Sequence, residues 1–298
     1  MFDCVVIGGG TAGMTAAIYL LRAGKSAMIL ESTALGGQIT ASARIENFPG
    51  LLGVSGIEYA DKLAEQVFHF GGAIEPVEVA GIERQEEHFV VRTTDDETYE
   101  ARSVIIATGA AHRHLGLERE ESLAGVSYCA VCDGAFYKGK EVLVVGGGNS
   151  AVQSALSLAE LCKKVTLIHR RDGFRAEPVL MDRMRRTENI EIRTGGVLKE
   201  LLGEDQLTGV VADFGGNSEE ISADGLFIAV GQKPANEPFA NFVDLDEEGY
   251  IDADESCTTK TPGIFAAGDC RKKAVRQLVT AAGDGAAAGL AAIRYLED

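Results

Sequence analysis

Short apolar runs that end in glycine-rich turns recur along this chain, and each is followed by a longer segment rich in Ala and Leu. The first run extends from Phe2 to Ile7 and ends in Gly8-Gly9-Gly10-Thr11-Ala12-Gly13, after which Met14 to Arg22 has helical character. A second apolar run, Lys25 to Leu30, follows. The alternation predicts strand, glycine turn, helix and strand, which together form a βαβ unit.

The glycine spacing of this unit matches the dinucleotide-binding fingerprint. Gly8 permits a tight turn, Gly10 lets backbone amides approach a pyrophosphate, and Gly13 lets the helix pack closely on the strand. The helix N-terminus then faces the phosphates. Glu31 stands 23 positions beyond Gly8, where a carboxylate accepts hydrogen bonds from both hydroxyls of a ribose. The unit therefore predicts a site for an unphosphorylated ribose, such as the adenosine ribose of FAD.

The same plan returns in the middle of the chain. Val142 to Val145 leads into Gly146-Gly147-Gly148-Asn149-Ser150-Ala151, a predicted helix continues to about Leu161, and Val165 to Ile168 is the predicted second strand. The repetition predicts a second dinucleotide site.

The position equivalent to Glu31 differs between the two units. His169 takes its place and is followed by Arg170, Arg171 and, further on, Arg175. A carboxylate would repel a ribose 2′-phosphate, whereas guanidinium groups bind one through charge-assisted hydrogen bonds. The alternative, an exposed basic turn, is disfavoured by the glycine motif in register upstream. The contrast predicts FAD at the first site and NADPH at the second.

Three further segments complete the predicted elements. Val104 to Gly109 and Leu226 to Gly231 are apolar and end in glycine, so each is predicted to return to the central sheet of its domain with its end near a cofactor. Between Ile74 and Tyr99, residues of alternating character with an acidic turn predict an added antiparallel sheet.

Composition limits the class of protein. A chain of 298 residues is long enough for two domains, and 46% hydrophobic with 24% charged residues is typical of globular proteins. The formal charge of −17 disfavours nucleic acids and anionic membranes as partners. The chain does not open with a signal-like segment, and no apolar run reaches the roughly 18 residues of a membrane span. We expect a cytoplasmic protein.

Cys129 and Cys132 are the one pair among six cysteines that is close in sequence, and Asp133 follows directly. A CxxC forms half of a zinc site, a structural disulfide or a redox dithiol. Zinc needs further ligands at suitable spacing, so no metal site is expected. The nucleotide motifs supply electrons for a redox dithiol. Asp133 is placed to handle the proton of thiol–disulfide exchange if its surroundings raise its pKa, although Asp133-Gly134 is alternatively only a turn.

These motifs together resemble the bacterial-type, low-molecular-weight thioredoxin reductases, which are class II pyridine nucleotide-disulfide oxidoreductases, over nearly the whole chain. The match is carried by the motif from Gly8, Gly36-Gly37-Gln38, Glu46 to Gly50, Cys129 to Gly134, Gly146 to Ala151, His169 to Arg175, Gly263 to Asp269, Arg276-Gln277 and Thr280 to Gly285. The resemblance implies an α/β fold with two Rossmann-like, three-layer ββα domains. An NADPH domain carrying the CxxC, residues 112–243, is implied to be inserted into an FAD domain made of residues 1–111 and 244–298.

The resemblance also implies roles for single residues. Cys132 would accept electrons from the flavin, Cys129 would attack the disulfide of thioredoxin or a similar partner, and Asp133 would complete the catalytic set. The implied FAD contacts are Gly8, Gly10, Thr11, Ala12, Gly13, Glu31, Gly37, Gln38, Asn47, Val79, Thr108, Gly109, Gly268, Asp269, Arg276, Gln277 and Leu278. The implied NADPH contacts are Gly146, Gly148, Asn149, Ser150, Ala151, His169, Arg170, Arg171, Arg175, Val230 and Gly231. The family also implies a homodimer.

Two segments depart from similar proteins, Ala130-Val131 between the cysteines and Leu117 to Glu120 in place of a proline-glycine turn. They leave open which thioredoxin-like protein docks. One alternative function is a related flavoenzyme that is fed by ferredoxin or acts as a dithiol oxidase, and the basic residues after His169 disfavour it. The other is a non-catalytic, redox-sensing flavoprotein, which would not need a CxxC beside an acid.

Overall fold

The structure is a computed structural model that describes residues 1–42 and 44–298, and it shows a mixed α/β protein with parallel sheets. The chain forms two compact units. The first unit consists of residues 1–111 and 233–298, and the second unit consists of residues 112–232. The second unit is therefore inserted within the sequence of the first.

The second boundary between the units differs from the expected one. The chain enters the second unit after Ala111 and leaves it after Gln232, whereas the sequence places the second boundary eleven residues later, at Val243. Val243 and Phe239 are both 1% exposed and belong to a core of the first unit. These side chains therefore pack with the strands of the first unit.

The chain first forms a βαβ unit and then a run of short strands. Each strand of the βαβ unit lies within one of the predicted apolar runs. Up to the first boundary the elements are β1 (Phe2–Ile7), α1 (Thr11–Arg22), β2 (Ala27–Leu30), a 3-10 helix (Gly37–Ala41), α2 (Gly56–His69), β3 (Ala73–Glu75), β4 (Val79–Gln85), β5 (His88–Thr93), β6 (Thr98–Ile106) and β7 (Ala110–His112).

The second unit repeats the strand, turn and helix order after a short cysteine-bearing helix. Its elements are β8 (Val126–Ser127), α3 (Ala130–Asp133), a 3-10 helix (Gly134–Tyr137), β9 (Glu141–Val145), α4 (Asn149–Ala159), β10 (Lys164–His169), α5 (Pro178–Arg185), β11 (Ile190–Thr194), β12 (Gly196–Leu202), β13 (Gly209–Phe214), β14 (Asn217–Ser222) and β15 (Gly225–Ile228).

The last part of the chain completes the first unit. Its elements are β16 (Gln232–Pro234), a 3-10 helix (Glu237–Phe239), β17 (Ile264–Ala266), a 3-10 helix (Gly268–Cys270) and α6 (Leu278–Glu297). Nowhere in residues 1–42 and 44–298 is there a helix whose length and apolar character would suffice to cross a membrane.

The central sheet of the first unit has seven strands, in the order β3-β2-β1-β6-β5-β4, with β17 also paired to β6. β6 joins two kinds of pairing. Its first half, Thr98 to Ala101, pairs antiparallel with β5, and its second half, Val104 to Ile106, pairs parallel with β17. The antiparallel strands expected between Ile74 and Tyr99 are thus a continuation of the parallel sheet through β6.

The second unit has a five-stranded parallel sheet, in the order β11-β10-β9-β15-β8, and a separate antiparallel sheet of β12, β13 and β14. β8 is an edge strand of two residues that pairs with β15. The polypeptide therefore passes from the sheet edge directly into the segment that carries the cysteines.

Each unit has two cores because its parallel strands are buried on both faces. In β1, Cys4 and Val6 pack in the core with α1 and α6, whereas Val5 and Ile7 pack in the core of the opposite face. In β9, Val142 packs with α4 and Leu143 packs with the antiparallel sheet. Each unit is therefore a three-layer arrangement of helices, parallel sheet and antiparallel strands.

Candidate nucleotide and disulfide sites

The glycine turn of the first unit connects the carboxyl end of β1 to the N-terminus of α1. Gly8 has a φ of 110°, and a Cβ there would overlap the Ala107 carbonyl. Gly10 precedes α1 in an extended conformation, and no side chain caps the helix. Thr11, Ala12 and Gly13 form its buried first turn. The first amides of α1 are thus free to bind a phosphate.

Glu31 lies beside this turn, one residue after β2, and is 9% exposed. Its Oε2 accepts a hydrogen bond from the Gly9 amide at 2.6 Å, and its Oε1 accepts from the Thr33 amide and hydroxyl at 2.8 and 2.9 Å. These bonds fix the carboxylate at the turn. A carboxylate oxygen has more than one acceptor position, so capacity for a ribose hydroxyl remains.

Two neighbouring strand ends bring a second group of predicted residues together. Thr108 and Gly109 follow β6, and Gly268 and Asp269 follow β17, which is hydrogen-bonded to β6. An added Cβ at Gly268 would come within 2.7 Å of the Ala12 Cβ. This close packing places the β17 turn against the first turn of α1.

Asp269 has a carboxylate oxygen that receives no hydrogen bond from the described residues. Its Oδ1 is buried and has no hydrogen-bond partner among residues 1–42 and 44–298. Burial raises the pKa of Asp269, against the nearby positive charges of Lys273 and Arg276. A buried acceptor without a donor costs free energy, and the hydroxyls of a ribityl chain are donors. The residues around this atom therefore fit FAD.

Other predicted FAD residues make hydrogen bonds across long sequence separations. Gln38 donates its side-chain amide to the Ala110 carbonyl, and Asn47 Nδ2 donates to Gln277 Oε1 at 3.2 Å. Gln277 caps α6 through a reciprocal capping box with Thr280. The N-terminus of α6 is thereby tied to the loop that carries Asn47.

Arg276 lies at the same end of α6, with its guanidinium 3.9 Å from the centre of the Tyr250 ring and its Nε 3.4 Å from the Asp269 carbonyl oxygen. The remaining predicted contacts begin secondary-structure elements. Gly37 begins a 3-10 helix, Val79 begins β4 and Leu278 begins α6.

Sequence reasoning missed a buried charge cluster beside this site. Asp284, on α6, accepts hydrogen bonds from Arg271 Nε and Nη2 and from Lys273 Nζ, all at 2.8 Å, and from the Gly268 amide at 3.0 Å. Burial alone raises the pKa of Asp284, but these bonds outweigh it and hold the pKa below its ordinary value. The sequence places Asp284 in the segment from Thr280 to Gly285 that carries the family resemblance, but does not show its ionic partners.

Asn236 is a second residue that no motif indicated. It is fully buried, accepts from the Thr108 hydroxyl at 3.0 Å, and donates to the carbonyls of Gly249 and Cys270 at 2.9 and 2.8 Å. It therefore links the ends of β6 and β17, and its contacts are too distant in sequence for a local pattern to predict.

The glycine turn of the second unit is covered by the loop that follows β10. The Arg175 amide donates to the Gly147 carbonyl at 2.8 Å. Asn149 exchanges two hydrogen bonds with Glu177, at 2.8 and 2.9 Å. Gly146 begins the turn directly after β9 and has a φ of 154°. The side chain of Asn149 is thus already engaged, whereas its backbone begins α4.

The other predicted NADPH residues frame this turn. Gly148 precedes α4 without a side-chain cap, and Ser150 and Ala151 lie in the first turn of the helix. Val230 and Gly231 follow β15, which pairs with β9. The arrangement repeats that of the first unit, where the residues after β6 lie beside the turn after β1.

His169 occupies the position of Glu31 but is a packed residue. It is 6% exposed, and its ring lies 4.9 Å from the Phe174 ring with Nε2 3.2 Å from the Gly173 carbonyl oxygen. Burial lowers the pKa of His169, and the surrounding arginine charges lower it further. The imidazole is therefore held in its neutral form.

The three arginines after His169 are exposed. Arg170, Arg171 and Arg175 each lack a carboxylate within salt-bridge distance in the part of the chain that the structure describes. Three unpaired guanidinium groups beside a dinucleotide turn suit a dianionic phosphate.

Cys129 and Cys132 form a disulfide with their Cα atoms 5.3 Å apart. Cys129 precedes α3, and its Sγ accepts the Cys132 amide at 3.2 Å. Cys129 is half-buried and Cys132 is exposed, with Val131 between them 69% exposed. An exposed apolar side chain thus lies between the two cysteines in the sequence.

Asp133 lies one residue beyond the disulfide and is held by a serine that sequence reasoning missed. Ser127 Oγ donates to Asp133 Oδ2 at 2.7 Å and accepts the Cys129 amide at 3.1 Å. Burial raises the pKa of Asp133, and the Ser127 bond acts in the opposite direction. Asp133 therefore lies beside the cysteines in surroundings that raise its pKa, and its part in proton transfer stays a prediction.

The chain is also similar to known proteins, and this similarity is evidence independent of the two nucleotide turns and the CxxC disulfide. Residues 2–285 match the pyridine nucleotide-disulphide oxidoreductase family. The chain belongs to this family. It is 43% identical over 303 residues to a thioredoxin reductase of Listeria monocytogenes, covering 100% of this chain and 95% of that protein. A thioredoxin reductase of Bacillus subtilis is 41% identical, with 100% and 96% coverage.

A solved structure agrees with these relatives. The crystal structure of thioredoxin reductase from Streptococcus pyogenes matches with a TM-score of 0.95 at 43% identity, covering 100% of this chain and 98% of that one. The predicted fold of two Rossmann-type domains and the resemblance to bacterial thioredoxin reductases are therefore confirmed. This member of the pyridine nucleotide-disulphide oxidoreductases is an oxidoreductase and a flavoprotein, and the predicted cofactors, FAD and NADPH, are those of its family.

Proposed function

We propose that this chain is an NADPH-dependent thioredoxin-disulfide reductase. It would pass electrons from NADPH through FAD to the disulfide of Cys129 and Cys132, and then to a disulfide of thioredoxin or a similar protein. One observation carries the proposal. The second unit contains both a disulfide beside Asp133 and a dinucleotide turn with three arginines that form no salt bridge with the described residues. The relatives named thioredoxin reductase support it.

The first unit supplies the proposed FAD site. Glu31 would hold the adenosine ribose, the amides at the start of α1 the pyrophosphate, and Asp269 the ribityl chain. When bound, FAD would supply the redox chemistry that links hydride transfer from a nicotinamide to reduction of a disulfide. The N-terminus of α6, capped by Gln277, provides a positive dipole end at this site.

The second unit supplies the proposed NADPH site. Its glycine turn leaves the amides at the start of α4 free for a pyrophosphate. Arg170, Arg171 and Arg175 would bind the 2′-phosphate, which Glu31 in the equivalent position of the first unit would repel. Preference for NADPH over NADH follows from this difference in charge.

The two cysteines have distinct proposed roles. Two electrons break the bond between their sulfurs, and the Cys132 amide that points at Cys129 Sγ favours negative charge on that sulfur. The Cys129 thiolate would attack the partner disulfide to form a mixed disulfide and release one partner sulfur. Cys132 would then attack Cys129 Sγ, releasing the second partner sulfur and restoring the disulfide.

Asp133 would handle the protons of these exchanges. A departing partner sulfur leaves as a thiolate, and a nearby protonated carboxyl group can convert it to a thiol that does not attack again. Burial favours the protonated form of Asp133, because it raises the pKa of this carboxyl group. The proton is afterwards replaced from water.

A cytoplasmic homodimer completes the proposal. Cys4, Cys162, Cys257 and Cys270 are all buried free thiols, which suits a reducing compartment. The exposed apolar side chains of the first unit include Leu52, Ile57 and Phe68, where a second copy of the chain could pack. The mass of the purified protein in solution tests the dimer.

The deciding experiment follows NADPH oxidation with oxidised thioredoxin from the same organism. We expect Cys129→Ser to abolish thioredoxin reduction while NADPH still bleaches the flavin under anaerobic conditions. Cys162→Ser, a change at a buried cysteine in the same unit, is the matched control and should retain turnover. Unchanged turnover in Cys129→Ser would refute the mechanism, and electrons accepted only from ferredoxin or delivered only to oxygen would favour the related flavoenzymes.

A further inference from the structure

Ser127 connects the first redox cysteine with the acid that follows the second. It is the last residue of β8 and is 5% exposed. Its Oγ lies 2.7 Å from Asp133 Oδ2 and 3.1 Å from the Cys129 amide nitrogen. A hydroxyl has one proton, and the amide can only donate, so the hydroxyl proton points to the carboxylate whenever Asp133 is ionised.

We propose that Ser127 is a positioning residue that holds the Asp133 carboxyl group beside the redox disulfide and stabilises its ionised form, thereby setting the pH range in which Asp133 transfers protons. This inference rests on the proposed thioredoxin reductase function. In this proposal Ser127 controls when Asp133 can transfer a proton to a sulfur of the partner disulfide. The two cysteines carry out the sulfur exchange but do not supply this control.

The backbone around Ser127 makes its side chain the main constraint on Asp133. β8 pairs with one strand over two residues, Val126 and Ser127. The Asp133 amide is fixed by the Cys129 carbonyl at 3.0 Å, but that bond leaves the carboxyl group free to rotate. The Ser127 hydroxyl is the group that orients it.

Few other ionisable groups face Asp133. α3 packs against α4, whose residues Asn149 to Ala159 include no ionisable side chain, and against the 3-10 helix that carries Tyr137. β15, next to β8, is also free of ionisable side chains. Within residues 1–42 and 44–298, the two causes that set the pKa of Asp133 are burial, which raises it, and the Ser127 hydrogen bond, which lowers it, with Tyr137 and the reduced cysteines as its ionisable neighbours.

Removing the hydroxyl has a defined direction. The ionised carboxylate loses a donor while burial remains, so Asp133 retains its proton to higher pH. The limb of the pH profile that reports Asp133 therefore moves to higher pH. A hydrogen bond to a charged group is strong enough to move such a limb by roughly half a unit or more.

The test measures thioredoxin reduction against pH in wild type, Ser127→Ala, Ser127→Thr and Ser127→Val. We expect the limb to move upward in Ser127→Ala and Ser127→Val and to return in Ser127→Thr, which differs from the valine variant by the hydroxyl. If Ser127→Ala does not fold, the comparison of Ser127→Thr with Ser127→Val replaces it, because both of these β-branched residues suit a strand. Profiles that superimpose on wild type overturn the proposal.

Tyr128→Phe is the matched control. Its hydroxyl contacts Glu120 Oε1 and His114 Nδ1, each at 2.8 Å, so the change removes a neighbouring hydroxyl without touching Asp133. We expect no shift of the limb, and a shift as large as that of Ser127→Ala would overturn the proposal.

A second readout separates this inference from the proposed function. Asp133 is titrated by NMR in protein with labelled Asp carboxyl carbons, with Asp133→Asn assigning its signal. We expect the Asp133 transition at higher pH in Ser127→Val than in Ser127→Thr. Wild-type protein that reduces no thioredoxin at any pH would refute the function, whereas identical titrations in the two variants would refute the role of Ser127.

Discussion

Asp133 is a half-buried carboxyl group whose environment favours the protonated form, while one serine hydroxyl opposes that effect. At the residue scale, this balance makes it the acid of the proposed thiol chemistry. Asp133→Asn keeps the size of the side chain but cannot transfer a proton. We expect turnover with thioredoxin to fall about 100-fold, the lower range for general acid–base catalysis.

The same variant should change the pH profile. The limb that reports Asp133 disappears, whereas bleaching of the flavin by NADPH continues because Asp133 lies outside both glycine turns. Stopped-flow absorbance measures that half-reaction and steady-state assays measure the turnover. Equal losses in both would mean that the substitution damages the whole protein.

Asp284 is the second residue whose ionisation matters, in this case for stability. Its pKa is held below the ordinary value by Arg271 and Lys273, so the folded state favours the ionised form. The resulting stability is fully present above pH 3.8, the ordinary pKa of an aspartate, and is lost as the pH falls through the lower pKa of the folded state. Wild type should therefore lose thermal stability in acid over that range.

Asp284→Asn tests this pH dependence. It leaves Arg271 and Lys273 without their buried counter-charge, and we expect a loss of about 3 kcal/mol in the free energy of unfolding at neutral pH. The acid-dependent loss should then be smaller than in wild type. Thermal unfolding followed by circular dichroism across this pH range measures both. Asp252→Asn, which removes an exposed ion pair with Lys272, is the control and should change little.

At the scale of elements, α1 and α6 pack so closely that one glycine is required. A Cβ on Gly285 would overlap the Ala12 carbonyl and lie 2.8 Å from the Thr15 Cβ, whereas a Cβ on Gly283 would have no neighbour within 4 Å. We expect Gly285→Ala to lower stability by about 1 to 3 kcal/mol because backbone must shift. Gly283→Ala, the matched control, should raise it by about 0.5 to 1 kcal/mol through helix propensity.

Chemical unfolding of both variants measures these changes. Because Ala12 lies in the first turn of α1, Gly285→Ala should also weaken FAD binding, which fluorescence of the released flavin detects. Equal stability of the two variants would contradict the close packing of α1 on α6.

The elements whose pattern is local were predicted well from the sequence. The strand from Phe2 to Ile7 has the predicted ends, and α4 ends at Ala159, two residues before the predicted Leu161. The contacts of Asn236 and Asp284 were missed because they join separate segments through tertiary structure, whereas the contact between Ser127 and Asp133 is close in sequence but belongs to no motif. No spacing or periodicity records that Asp284 meets Arg271, since the two residues lie on different elements.

At the scale of the whole molecule, two similar nucleotide units differ in charge after the second strand of each βαβ unit, where the first has Glu31 and the second has neutral His169 followed by arginines. Glu31 is fixed at the first turn, and Arg170 and Arg171 are exposed at the second. We expect Arg170→Ala combined with Arg171→Ala to raise the KM for NADPH at least 10-fold while changing the KM for NADH little. Steady-state kinetics with both nucleotides measures this. A KM for NADPH that does not change would show that these arginines do not bind its 2′-phosphate.

The resemblance to the family implied that one unit is inserted into the other, with the second boundary at Val243. The structure separates the two units after Gln232 instead. Residues 233–243 have no motif, and Phe239 and Val243 reveal their unit only by burial in its core.

The discontinuous first unit has a consequence for synthesis. β17 pairs with β6, and α6 covers the same face of the sheet as α1, yet both elements follow the entire second unit in the sequence. As the chain leaves the ribosome, the second unit is therefore complete while the first still exposes the apolar surface that α6 will bury. Domains fold as units during synthesis, so we expect residues 112–232 to fold first and the N-terminal segment to need protection from aggregation until the last helix arrives.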